Sequence, residues 1–270
     1  MLLGAPTAAR AVLTLSLVPL SARSVSVSLT LLRDGRNDRQ RRPPPPPPPP
    51  PVRLTHFLAM RLGSPLLHAA VEAAQREILS RDENLKGCDV PAAKTHLTCF
   101  VLSLPTPSDV DAAKEALSAC SNLIEPGRPP PAIHLNGIGN FGQRVCFIKC
   151  DERAADFPRV ASLVSGAADI FSQRCGPDAV SGLGTSWTPH VTLLKTSRLA
   201  RHHQQKSKSK GRRPRAPLAK IRESTYAPIA ETDFGVHELP TMELCAMQGE
   251  AADGFYMVEA ALSLSLNHIE

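Results

Sequence analysis

Polar and apolar residues alternate along several short stretches of this chain, and longer stretches between them carry apolar residues every three or four positions. The first pattern is typical of half-buried strands, and the second is typical of amphipathic helices. We therefore predict strands at 54–62, 95–104, 132–138, 143–150, 189–194, 239–248 and 254–265, and helices at 65–79, 108–123 and 154–174.

Local signals mark the ends of several of these elements. Ser64-Pro65 is typical of a helix N-terminus, since serine caps a first turn and proline fits the first helical position. The stretch 139–142, Gly-Asn-Phe-Gly, predicts a tight turn between two short strands. Strands and helices mixed in this order favour an α+β fold with antiparallel sheets, arranged as two similar halves.

Two of the predicted strands share the pattern His-x-Thr. His96 and Thr98 occupy one of them, and His190 and Thr192 occupy another. Residues two apart on a strand point to the same face, so each pair places an imidazole beside a hydroxyl. Two such pairs facing each other across a cleft would hold an anion between two proton-transfer groups.

Imidazole is the side chain whose ordinary pKa lies closest to neutrality, so one histidine can take a proton while another gives one. That arrangement suits cleavage of a phosphodiester without a metal ion, with a bell-shaped rate profile around neutral pH. A single His-x-Thr carries little weight, because a histidine on a half-buried strand often only bonds the backbone. Two copies in similar apolar surroundings favour catalysis, and a structural role for each histidine stays open.

The composition is that of a folded protein with basic extensions. The 270-residue chain is 42% hydrophobic and only 4% aromatic, so its core is expected to be mainly aliphatic. The net charge of +6 comes largely from the N-terminal arm and from a basic stretch at 198–222. We expect a folded domain over 52–267, with residues 198–222 as an insertion. The insertion contacts an RNA backbone, serves as a nuclear address, or is simply a solvated loop.

Residues 1–51 are predicted to form a leader outside the folded domain. The first 33 residues contain arginines, many serines and threonines, and no acidic residue. Organellar transit peptides and disordered leaders share this composition. The proline run at 43–51 predicts an extended helix that acts as a spacer or docks on an aromatic groove. We predict an intracellular protein of the cytoplasm or nucleus, with organellar import as the alternative.

The cysteines and the apolar stretches argue against several other classes of protein. None of the seven cysteines forms a Cys-x-x-Cys pair, and Cys146-x-x-x-Cys150 has no nearby histidines at zinc-ligand spacing. We therefore expect reduced thiols, with Cys99 and Cys146 as small core residues, and neither a metal nor a cofactor. The apolar stretch at 11–20 is too short to cross a membrane, so no membrane association is predicted.

Six stretches, taken in order along residues 52–266, carry a resemblance to a known group of proteins. They are Thr55–Leu58, His96–Thr98, Gly137–Gly142, Pro189–Lys195, Glu243–Met247 and Gly254–Tyr256. Together they resemble the two-histidine phosphoesterase superfamily, and within it the phosphoesterase-like domains of the A-kinase anchoring proteins.

The resemblance implies a bilobal, LigT-like fold, in which two antiparallel sheets with flanking helices surround a central cleft without a metal. It implies that His96 and His190 act as general acid and base, in an order left open. It also implies that Thr98 and Thr192 hydrogen-bond the non-bridging phosphate oxygens. Relatives cleave 2′,3′-cyclic phosphates, 2′,5′-linked oligoadenylates or RNA ends, or bind nucleoside monophosphates. The expected substrate is a small nucleotide, a 2′,5′-oligonucleotide or an RNA terminus.

Three further residues are candidates for substrate binding. Phe57 lines the base pocket or is an ordinary core aromatic residue. Lys195 lends charge to the phosphate or is a solvated lysine at a strand end. Trp187, the sole tryptophan, stacks on a base or packs in the core.

Two other kinds of function stay open beside the phosphodiesterase. One is a non-catalytic module that binds nucleoside monophosphates such as AMP or mediates an interaction, and the other is a scaffold acting through the proline run and the basic stretch. The anchoring-protein relatives hold a kinase regulatory subunit through an amphipathic helix beyond this domain. The sequence ends soon after the alternating stretch 262–266, so kinase anchoring is not expected, and we expect a monomer.

Overall fold

The computed structural model describes residues 53–182, 187–199 and 219–265. The predicted leader and most of the predicted basic stretch at 198–222 lie outside these ranges. The strands of the described part are β1 His56–Arg61, β2 His96–Leu102, β3 Ala132–Phe141, β4 Val145–Cys150, β5 Val180–Ser181, β6 His190–Lys195, β7 Asp233–Glu238, β8 Thr241–Ala246 and β9 Val258–Ser263. The helices that concern us are α1 Pro65–Arg81, α2 Pro107–Ala119, α3 Phe157–Cys175 and the short α4 Glu223–Tyr226.

The strands form two antiparallel sheets. One sheet has the order β5-β2-β1-β8-β9, and the other has the order β6-β4-β3-β7. The two His-x-Thr strands, β2 and β6, belong to different sheets and contact each other. The predicted α+β fold is therefore confirmed, with one motif in each of its two sheets.

The helix starts agree only in part with the sequence signals. Helix α1 starts at Pro65, directly after Ser64, as predicted, but the Ser64 side chain makes no capping hydrogen bond. The predicted start of α2 at residue 108 is wrong, because Thr106 forms a capping box with Asp109. The Thr106 hydroxyl accepts from the Asp109 N–H, and the Asp109 carboxylate accepts from the Thr106 N–H, so the helix begins at Pro107.

The hairpin between β3 and β4 is present, but its turn lies later than predicted. Strand β3 continues through residue 141 instead of ending at 138. The backbone φ angles of Gly142 and Gln143 are +53° and +60°. Two consecutive positive φ values are what a tight hairpin turn requires, so the chain reverses there rather than at 139–142.

Other elements also differ from the sequence prediction, and the short β5 and α4 were not predicted. Strand β7 was not predicted, because its acidic and glycine residues do not alternate in the usual way. Strand β9 begins at Val258 instead of 254, since residues 247–257 form a loop over one face of the five-stranded sheet. Helix α3 begins at Phe157 instead of 154, and Pro158 occupies its first turn, where a missing N–H costs nothing.

The core is mainly aliphatic, as the composition predicted. One large buried cluster draws on both sheets and on α1, α2 and α3, and it includes the buried Cys99 and Cys146. A second, smaller cluster lies on the opposite face of the five-stranded sheet and consists of Phe57, Ala59, Cys245 and Phe255. Among the described residues, no helix combines the length and the apolar character needed to span a bilayer.

Candidate active site

The two motif histidines hold equivalent positions in their strands. His96 is the first residue of β2, His190 is the first residue of β6, and both are half-buried. Thr98 and Thr192 follow two residues later on the same faces and are also half-buried. Strands β2 and β6 contact each other, so the two motifs lie side by side. The structure thus brings the four predicted residues together.

The backbone tethers both imidazoles in the same way. Nδ1 of His96 lies 2.7 Å from the carbonyl oxygen of Lys94, and Nδ1 of His190 lies 2.9 Å from that of Thr188. A carbonyl oxygen can only accept, so each Nδ1 carries the proton and donates it. In the described part of the chain no hydrogen bond engages either Nε2, so each neutral ring keeps this nitrogen as an acceptor.

Burial lowers the pKa of both histidines. Loss of hydration is the largest cause for His96, whose pKa falls to about 4, and the charges of His190 and Lys195 lower it further. The pKa of His190 is also lowered by burial first and by Lys195 second. The tethers to Lys94 and Thr188 oppose these shifts. Both imidazoles are therefore neutral in the free protein at pH 7.

Aromatic rings from the five-stranded sheet and its loop surround His96. The ring of Phe57 lies 5.2 Å from the imidazole, centroid to centroid, and the ring of Tyr256 meets it edge-on at 5.5 Å. Tyr256 belongs to the loop between β8 and β9. An ion pair between Lys94 and Glu250, at 2.6 Å, holds this loop near the histidine.

A second pair of aromatic rings surrounds His190 on the other sheet. Phe141 lies 4.9 Å from the imidazole and Phe147 lies 5.3 Å from it, centroid to centroid, and the two phenylalanine rings stack on each other at 4.1 Å. Each histidine therefore has apolar rings on one side and its tethering carbonyl on another. This packing explains why burial dominates both pKa shifts.

Lys195 reaches the face of the histidines through an irregularity in β6. Strict alternation would place residue 195 on the face opposite His190. The pairing of β6 with β4 contains a bulge after Thr192, so one extra residue of β6 is inserted there. The bulge returns Lys195 to the face of His190, and its charge acts on the pKa values of both His190 and His96.

The other two candidates for substrate binding lie in different surroundings. Phe57 is buried against His96 and Tyr256 on the cleft face of β1, so it lines the site while packing in the small cluster. Trp187 donates its indole N–H to the carbonyl of Thr98 at 3.1 Å and packs with the large core. The indole therefore links the approach to β6 with the motif strand β2.

Sequence reasoning did not single out Tyr256, Phe141, Phe147 or Lys149 as site residues. Lys149 of β4 pairs directly with His190 of β6. Alternation alone places residues 147 and 149 on one face, but only the register of β4 against β6 shows which face. Within the described ranges, no three His, Cys, Asp or Glu side chains are grouped so that they could hold a metal ion.

A bilobal α+β fold with one His-x-Thr strand in each antiparallel sheet defines a two-histidine phosphoesterase. Residues 54–264 match the family described as "AKAP7 2'5' RNA ligase-like domain". The chain belongs to that family, and the resemblance inferred from the sequence is confirmed.

The chain is also similar to solved structures. TT0787 of Thermus thermophilus shares 20% identity over 79% of this chain and 100% of its own, with a TM-score of 0.52. LigT of E. coli, solved in complex with 3'-AMP, shares 16% identity over 78% of this chain and 97% of its own, with a TM-score of 0.44. No curated protein matches the chain.

Proposed function

We propose that the domain is a phosphodiesterase that uses paired histidines, without a metal ion, to cleave a small nucleotide, a 2′,5′-oligonucleotide or an RNA terminus. The matched tethering of the two imidazoles carries the proposal. His96 and His190 each donate from Nδ1 to the carbonyl two residues earlier, so each keeps Nε2 for proton transfer. A histidine with a purely structural role does not require an unbonded Nε2. The same arrangement at both motifs therefore favours proton transfer.

In the proposed reaction, the substrate phosphate lies between the two Nε2 atoms. One neutral imidazole takes a proton from a water molecule or a ribose hydroxyl, whose oxygen forms a bond to phosphorus. The other imidazole, protonated, gives its proton to the leaving oxygen as the P–O bond breaks. Thr98 and Thr192 donate hydrogen bonds to the non-bridging oxygens, and the ammonium of Lys195 offsets their charge. The proton then returns from one histidine to the other through solvent.

The low pKa of His96 supports an assignment of roles. A phosphate anion in the site raises the pKa of a nearby imidazole and so favours one protonated histidine. Burial lowers the pKa of His96 to about 4, so this ring stays neutral and is assigned as the base. His190 is assigned as the acid.

One observation favours a second candidate, a module that binds nucleoside monophosphates without cleaving them. Both histidines are neutral in the free protein at pH 7, so no acid is ready before a ligand binds. Aromatic rings beside each histidine would still hold a base by stacking. Calorimetry separates the two candidates, because a binder gives a heat of binding for AMP and no turnover of any diester.

Labelled oligonucleotides with 2′,5′ linkages, 3′,5′ linkages and 2′,3′-cyclic ends test the proposal. They are incubated in chelator with the wild-type protein, with the double variant His96→Ala/His190→Ala, and with His68→Ala. His68 of α1 is the matched control, since its ring hydrogen-bonds the Leu62 carbonyl and, among the described residues, makes no other hydrogen bond. We expect turnover by the wild type and the control and loss by orders of magnitude in the double variant. Undiminished turnover by the double variant would contradict the proposal.

A further inference from the structure

Lys149 is a cation of the cleft face that the proposed mechanism does not use. It pairs with His190 across β4 and β6, and directly paired residues place their side chains on the same face of a sheet. Its side chain is exposed. Among the described residues, no carboxylate forms an ion pair with it. An ammonium group on this face of the sheet therefore has no carboxylate partner among the described residues.

The backbone of β3 determines where the lysine side chain lies. The pairing of β3 with β4 contains a bulge beside Lys149, and Gly137 in that bulge has a φ of +80°. A Cβ at Gly137 would lie 3.3 Å from Nζ of Lys149 and 3.2 Å from the carbonyl oxygen of Ala230. A Cβ at Gly139 would lie 3.6 Å from Cε of Lys149. The two glycines thus leave room for the lysine to extend across β3.

This direction takes the ammonium away from the two histidines. His190 lies on β6, the lysine backbone lies on β4, and the side chain reaches over β3. Adjacent strands are about 4.8 Å apart, so the ammonium of Lys149 lies on the order of two strand spacings from the backbone of His190. Consistently, Lys195 is among the main influences on the pKa of both histidines, and Lys149 is not. Lys195 is therefore placed for the phosphate between the histidines, and Lys149 is placed for something beyond it.

We propose that Lys149 binds a second phosphate of the substrate, adjacent to the one that lies between the histidines. This inference rests on the proposed function and narrows its substrate class to nucleotides with at least two phosphate groups, such as an oligonucleotide. Lysine binds phosphate as a point charge, and an exposed ammonium loses little hydration in doing so. A cyclic mononucleotide, with one phosphate, leaves Lys149 unused.

Binding measurements test the role of Lys149 without requiring turnover. Calorimetry compares adenosine 5′-monophosphate with adenosine 2′,5′-bisphosphate and adenosine 3′,5′-bisphosphate on the full chain. The variants are Lys149→Gln, Lys149→Arg and, as a matched control, Lys86→Gln, whose lysine is exposed and pairs with Glu83 at 2.8 Å. We expect one of the bisphosphates to bind the wild type about tenfold more tightly than the monophosphate, which is the size of one charged hydrogen bond.

Lys149→Gln is expected to abolish that preference while leaving monophosphate affinity within about twofold, since the first phosphate does not contact Lys149. Lys149→Arg retains the preference, and Lys86→Gln does not change it. A wild type with no bisphosphate preference, or a Lys149→Gln variant that keeps it, overturns the inference. If the preference depends on Lys149 but no diester is cleaved, the second-phosphate site stands and the proposed catalysis fails. If diesters are cleaved but Lys149→Gln leaves the bisphosphate preference unchanged, the proposed catalysis stands and the second-phosphate site fails.

Discussion

The ring of Phe147 fills the space that a side chain on Gly139 would need. A Cβ at Gly139 would lie 2.9 Å from Cζ of that ring, which is closer than ordinary van der Waals contact. The same ring lies 5.3 Å from the imidazole of His190, centroid to centroid. A glycine on β3 therefore allows the position of a ring that packs against the proposed acid.

Replacing that glycine should affect both stability and turnover. We expect Gly139→Ala to cost about 1–3 kcal/mol in the free energy of unfolding, as overpacking usually does, because Phe147 must move. Displacement of the ring should also lower kcat by about tenfold, since misplacing a supporting group disturbs the imidazole of His190. Gly63→Ala is the control, because a Cβ there meets no atom within 4 Å. Equal stability and equal kcat of the two variants would show that the contact between residue 139 and the Phe147 ring does not matter.

Asparagine at either motif histidine separates the tether from proton transfer. The asparagine amide can still donate to the backbone carbonyl, but it has no titratable nitrogen where Nε2 lies. We expect His96→Asn and His190→Asn to remain within about 1 kcal/mol of wild-type stability in urea unfolding. The kcat of each should fall by about 10²–10⁴-fold. Wild-type kcat in either variant would mean that its histidine transfers no proton.

Burial should move the pH–rate profile to the acid side of neutrality. The profile of kcat/KM reports the free protein, so its acidic limb should follow the pKa of His96, about 4. Its alkaline limb should follow His190, whose pKa lies below the ordinary 6.5. The bell centred on neutral pH that unperturbed imidazoles predict would then not be seen, and a profile centred at or above pH 7 would contradict these shifts.

Removing the charge of Lys195 should shift the pKa values of His96 and His190 in a known direction. A nearby cation disfavours the protonated imidazole, so Lys195→Gln should raise the pKa of both His96 and His190. Both limbs of the profile should move to higher pH, and histidine NMR titrations should show the same direction. Lys86→Gln, outside the cleft, should move neither limb. A shift of either limb to lower pH would rule out the proposed position of the Lys195 ammonium.

A third histidine makes stability depend on pH away from the site. Nε2 of His134 lies 2.9 Å from Oδ1 of Asp233, and this hydrogen bond is the largest cause that raises its pKa above 6.5. A histidine whose pKa is raised on folding stabilises the folded state. Its contribution is fully present below pH 6.5 and is lost as pH rises through the pKa of the folded state. We expect His134→Gln to cost less than about 1 kcal/mol at pH 5.5, because Asp233 is largely exposed, and still less at pH 9. Urea unfolding at both values measures the difference, and a larger cost at pH 9 would reverse the predicted sign.

The sequence predicted the parts of the site that depend on simple alternation. His96 and Thr98 fall on one face because they are two residues apart on an unbroken stretch of strand. Simple alternation gives the wrong face for Lys195, because only the bulge in β6 brings it to the face of the histidines. Lys149 required the register between β4 and β6, which is set by packing of the whole sheet and not by the local sequence. Tyr256 was missed because the sequence predicted a strand from residue 254, whereas residues 247–257 form a loop and β9 begins at Val258.

Comparison of single and double histidine variants tests the central claim most directly. The claim is that His96 and His190 act as one unit on one phosphate, and residues that act as a unit have non-additive effects on rate. We expect His96→Ala and His190→Ala each to lower kcat by about 10²–10⁴-fold on whichever labelled diester the wild type cleaves. The double variant should be no more than about tenfold slower than the worse single variant. Full turnover by His190→Ala would contradict the account.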